Sequence, residues 1–165
     1  MNRILKILVL LLQVTTAFAV GVFIYMLFAI LDSDWGLDGV VGLLFQFIWA
    51  AIVSLITIMM CLLVGLPIRL NRALREWWGD HSYIPMALFL VGLLMLGLSL
   101  LPRFMESMTV DEGSFPRLKQ VPNMVLALSG WFSCSFALLH IFPPQRWVES
   151  LSTFFQAKIQ NFKVS

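Results

Sequence analysis

Hydrophobic positions run together in four blocks along this chain: Ile7–Leu31, Val40–Val64, Ile84–Leu101 and Met124–Phe142. None contains an Asp, Glu, Lys or Arg. The hydrocarbon core of a bilayer is about 30 Å thick, and a helix needs roughly 20 apolar residues to cross it. Irregular backbone in lipid would leave N–H and C=O groups unpaired, so each block is predicted to be helical. A transmembrane β-barrel would instead show alternating segments of about ten residues, and these blocks are continuous. The expected fold is an all-α membrane protein. A four-transmembrane-helix bundle takes up residues 1–142, and an amphipathic cytoplasmic tail takes up 143–165.

The block boundaries carry helix start and stop chemistry. Asp38 is placed to cap the second span, and Gly65 and Pro67 to end it, since Pro lacks an N–H. Ser82 precedes the third span and Pro85 fits its first turn. Pro122-Asn123 opens the fourth and Pro143-Pro144 closes it. Trp35, Trp77, Trp78, Tyr83 and Trp147 fall near the expected water–lipid boundaries, as an aromatic belt does.

The N-terminus resembles a secretory signal, with Arg3 and Lys6 before an apolar stretch and Ala17-Phe18-Ala19 as a small-x-small site. The apolar run continues through Val20–Leu31, which is too far for a signal core. The segment is therefore expected to be retained as the first span.

Charge placement gives an orientation. Arg3 and Lys6, then Arg69, Arg72 and Arg75, then Arg146, Lys158 and Lys163 all fall on one side of a four-span chain. They are eight of its 11 basic residues. Basic residues are retained in the cytoplasm, so both termini are expected there, with a bacterial inner membrane as the expected setting. Composition agrees with a membrane protein: 60% of the 165 residues are hydrophobic and 12% charged. Soluble domains carry about 25% charged residues. A net charge of +2 does not suggest nucleic acid as a partner.

Span four is the richest in small residues. Ala127, Gly130, Cys134 and Ala137 recur at spacings of three and four and share one face, where backbones can approach closely. This is the helix expected to lie against the others, or to present a face to a membrane-protein partner or a second copy. Ser129, Ser133 and His140 lie within about 40° of one another on the same helix. With Gln13 and Gln46 they are the main polar groups in the spans, expected to hydrogen-bond between helices. The spans lack the buried carboxylates that mark ion-coupled transporters.

Two segments are amphipathic. In 68–78, Leu70, Ala73, Leu74, Trp77 and Trp78 fill one arc while Arg69, Arg72, Arg75 and Glu76 oppose them. This predicts an in-plane helix, with Trp in the acyl boundary and Arg on anionic lipid headgroups. From Trp147 the tail repeats the design, with Lys158 able to snorkel from the apolar side.

Candidate chemistry is sparse. Cys61 and Cys134 lie inside spans and form no CxxC. His140 and His81 are the two histidines, without metal-ligand spacing. Asp32, Asp34 and Asp38 fail the calcium-loop pattern at Gly36 and Leu43. No nucleotide or hydrolase motif is found, so no catalytic, metal or cofactor residues are assigned. The expectation is a non-enzymatic subunit, assembly factor or scaffold of a membrane complex. The alternative is a homo-oligomeric pore or small transporter with Gln and Ser faces lining the path.

Overall fold

A computed structural model of the chain describes residues 3–32, 37–112 and 115–141. Six helices and two strands follow in order: α1 (Arg3–Asp32), α2 (Leu37–Val64), α3 (Leu66–Leu70), α4 (Arg72–Asp80), α5 (Tyr83–Ser99), β1 (Glu106–Glu112), β2 (Phe115–Val121) and α6 (Met124–Leu139). The tail, with Trp147 and Lys158, and the acidic loop at 33–36 lie outside the described residues.

Helices α1 and α2 are long and apolar enough to cross a membrane, over Ile7–Leu31 and Val41–Val64. Large apolar side chains cover their outer surfaces, among them Leu12, Phe23, Leu44, Phe45, Met59 and Leu63. Such continuous apolar exposure is foreign to a soluble monomer and natural in lipid. The protein is therefore membrane-embedded. Helices α5 and α6 are shorter, at 17 and 16 residues. They stop at Ser99 and Leu139 rather than Leu101 and Phe142, and at 1.5 Å per residue they span about 24–26 Å.

The helix directions follow from their contacts. Tyr25 of α1 donates to Gln46 of α2 at 2.9 Å, and Ala17 packs with Ile58 and Cys61 near the other end, so α1 and α2 are antiparallel. Trp131 Nε1 donates to Thr57 Oγ1 at 3.2 Å and Gly65 abuts His140, so α6 runs parallel to α2. Ser133 Oγ donates to the Leu88 carbonyl at 3.0 Å and the Asn123 amide to that of Ser99 at 3.2 Å, so α5 opposes α6. Helix α6 is the hub. It packs on α1, α2 and α5, while α5 has α6 as its principal neighbour.

Two apolar clusters lie along α6. Ala17, Ile58, Cys61 and Leu139 form one, toward the end where α4 lies, and Ile24, Leu96 and Cys134 form the other. Between α5 and α6 the backbones touch. A Cβ on Gly92 would come within 2.6 Å of Cys134 Sγ and 2.9 Å of the Gly130 carbonyl oxygen. Nothing larger than glycine fits at that crossing. Gly97, on the same helix, faces open space.

Helix boundaries depart from expectation in instructive ways. Helix α2 begins at Leu37, so Asp38 stands in its first turn. After Gly65 the chain resumes as α3, with Pro67 in the first turn rather than as a terminator. Asn71 caps α4, its side chain accepting from the amides of Ala73 and Leu74. Asn123 caps α6 by accepting from the Leu126 amide at 2.9 Å. Ser82 stands at the N-cap of α5 but makes no cap hydrogen bond. Helices α4 and α5 meet at a bend of 71°.

The described residues are not all helical. The segment between the third and fourth apolar blocks contains an antiparallel ribbon in which Glu106 pairs with Val121 and Glu112 with Phe115. Pairing satisfies the backbone groups of the two strands as a helix would, and the β-formers Thr109, Val110 and Val121 favour it across a short connection. Neither strand pairs with a third among the described residues. Asn123 Nδ2 ties the base of the ribbon to Glu106 at 2.7 Å.

Candidate functional site

Gln13, Arg69, Trp78 and His140 converge on the α4 end of α6. A helix leaves its last carbonyls without partners. Here three successive carbonyls accept side-chain N–H groups from three other elements. Arg69 Nη2 of α3 donates to the Leu139 oxygen at 2.6 Å, and Trp78 Nε1 of α4 donates to the His140 oxygen at 2.9 Å. Gln13 Nε2 of α1 donates to the Ile141 oxygen. Arg69 also donates to Gln13 Oε1 at 3.2 Å, which closes the cluster. Its cation stands at the negative end of the α6 dipole. Burial pushes the Arg69 guanidinium down from its ordinary value, though a guanidinium stays charged in proteins.

His140 is fully buried at the centre of this lock. Its ring stacks on Phe136 at 4.3 Å and 24°, and Phe136 meets Trp78 edge-on. Nδ1 lies 2.8 Å from the Phe136 carbonyl oxygen, which can only accept, so Nδ1 is the donor. Nε2 has no hydrogen-bond partner among the described residues and faces Gly65, where any Cβ would overlap the ring. The His140 ring is thus held by a bond within its own helix and by close packing against Gly65.

The other predicted residues are placed as follows. Gln13 is buried, and Gln46 is half-buried against Tyr25. Gly130, Cys134 and Ala137 are buried and Ala127 half-buried. Of the α3–α4 arginines, Arg69 turns into the bundle. Arg72 pairs with Glu76 at 2.8 Å, and Arg75 is half-buried. Trp77 is exposed and stacks on His81 at 4.7 Å.

Helices α2 and α5 flank α6 without closing over it. A lateral groove of about 650 Å³ remains, walled by Thr57 and Val64 of α2 and Leu88 of α5. Its floor is α6 from Leu128 to Phe136, with Ser129 exposed. Among the described residues no group of His, Cys, Asp or Glu is arranged to hold a metal ion. Both cysteines are buried free thiols.

The sequence reading missed Gly65 and Trp78 as partners of α6. Their signals were a glycine at a span end and a tryptophan on the arc opposite the arginines. Neither says what it touches. Comparison with family models, with curated proteins and with solved structures finds no match for the chain.

Proposed function

We propose that this protein is a non-enzymatic component of a membrane complex, a small subunit, assembly factor or scaffold. In this reading α1, α2, α5 and α6 all cross the bilayer, and α4 lies in the plane of the interface. The 71° bend between α4 and α5 supports the last point, since a helix at that angle to a span runs nearly along the surface. In this reading that end and both termini face the cytoplasm of a bacterial inner membrane, and the arginines of α3 and α4 support the cytoplasmic side.

The observation that carries the reading is the β1–β2 ribbon at the far end. An isolated two-stranded ribbon is marginal in water. Neither outer edge pairs with another strand among the described residues, and Met108 and Leu118 are exposed at 60% and 77%. An edge of this kind is a ready template for a partner strand. Several polar groups of the helices, by contrast, serve internal bonds. Gln13, Gln46 and Ser133 each have a partner within the bundle, which favours a scaffold over the pore reading.

Crosslinking and purification in mild detergent test this. The intact chain is expected to bring down an unrelated protein, and Met108→Lys with Leu118→Lys to lose it while the chain stays in the membrane. Purification as a single species that makes liposomes leak would replace this reading with the pore. A C-terminal reporter active only outside the cytoplasm would overturn the orientation.

A further inference from the structure

We propose that the groove over α6 seats one acyl chain of an anionic phospholipid, with its phosphate held by Arg75 and Arg72 of α4. The inference rests on the in-plane reading of α4 given above and adds a specific ligand to that surface.

Three observations converge on it. The first is length. The groove floor runs from Leu128 to Phe136 and its α2 wall from Thr57 to Val64. At 1.5 Å per residue these are about 12 Å and 10 Å. A partner helix would need to run the full hydrocarbon core of about 30 Å. The groove covers less than half of that, beside the last third of α2 and the first turns of α5, so its length suits a molecule confined to one leaflet. The second is chemistry. The lining is mainly apolar, interrupted by the hydroxyls of Thr57, Ser129 and Ser133, and its volume of about 650 Å³ falls within the range of about 300–1,000 Å³ of small-molecule sites.

The third is charge at the mouth. Val64 is the last residue of α2, and Phe136 meets Trp78 of α4 edge-on at 6.4 Å. The mouth therefore opens beside α4. Arg72 and Arg75, three residues apart, form a ridge on the arginine arc of that helix, at the edge that adjoins Trp78. Arg72 is held by Glu76, and Arg75 makes no ion pair among the described residues. Arg69, one turn earlier, is turned away to the α6 carbonyls. A phosphate at the ridge would meet Arg75 first and draw Arg72 in competition with Glu76. Arg–phosphate bonds are short and strong, and the amphipathic Trp78 suits the headgroup level.

Native mass spectrometry and thermal unfolding of the full chain in mild detergent test this. The additives are dioleoyl phosphatidylglycerol, dioleoyl phosphatidylcholine and glycerol 3-phosphate. The expected result is a one-lipid adduct, about tenfold tighter for phosphatidylglycerol than for phosphatidylcholine, and no stabilisation by glycerol 3-phosphate. Arg75→Gln with Arg72→Gln is expected to remove the preference between the lipids. Ser129→Trp and Val64→Trp, each filling the groove from an exposed position, are expected to lose the adduct with both lipids. Equal binding of the two lipids by the intact chain, an unchanged adduct in both groove-filling variants, or stabilisation by glycerol 3-phosphate alone would overturn the proposal. A spin label at Ala73→Cys separates the two readings. Interfacial depth without lipid preference sinks only this inference, whereas a label in bulk water sinks the in-plane helix as well.

Discussion

At Arg69 one side chain serves two acceptors, the Leu139 carbonyl and Gln13 Oε1. Removing it strands buried acceptors, which costs about 1–3 kcal/mol each. Arg69→Gln is expected to lower stability in detergent by that order. Arg69→Lys should recover only part of it, because an ammonium lacks the fork that reaches both groups. Glu76 is the contrast. Its bond to the Arg72 guanidinium, and then the charge of Arg72, hold its carboxyl below the ordinary value. A lowered folded value gives stability above the unfolded value of about 4.3 and loses it as pH falls through the folded one. The pair is fully exposed, so water screens it. Glu76→Gln is expected to leave thermal unfolding at neutral pH unchanged. Gly65→Ala drives a methyl into the His140 ring, an overpacking worth about 1–3 kcal/mol. Combining it with His140→Ala should restore part of the loss, and additive losses in that double-mutant cycle would remove the contact from consideration.

At the scale of elements, Gly92 and Gly97 are chemically identical, yet one sits at a backbone crossing and the other in open space. Gly92→Leu is expected to separate α5 from α6 and abolish cooperative unfolding, and Gly97→Leu to leave it intact. Circular dichroism melts in detergent would compare the two. Their difference marks what the sequence could not tell. Continuous apolar runs gave α1 and α2 nearly to the residue, because the length of the hydrocarbon core sets them. The Asn123 cap was legible for the same local reason. The ribbon was not. Its alternation is diluted by Glu106, Asp111 and Glu112, and Pro116 within β2 argues against a strand.

For the whole molecule, the small residues of 124–142 pointed to the helix that packs on three others, since only close approach explains so many of them in lipid. What they touch was hidden, because partner choice depends on contacts between segments far apart in the chain. The candidate site shows the same limit. Gln13, Arg69 and His140 stood out individually, and only the fold brings them to one helix end. Lipid-free protein is expected to melt lower than protein returned to bilayers, because the apolar outer surfaces of α1 and α2 lose their solvent.

The hub position of α6 also orders the protein's biogenesis. It is the last of the described helices to leave the ribosome, yet α5 has little else to pack against. Until α6 arrives, α5 lacks its principal neighbour, while α1 and α2 can already pair. The nascent chain is therefore expected to be most open to proteolysis just before α6 is made, which the lifetimes of chains truncated before Met124 would check.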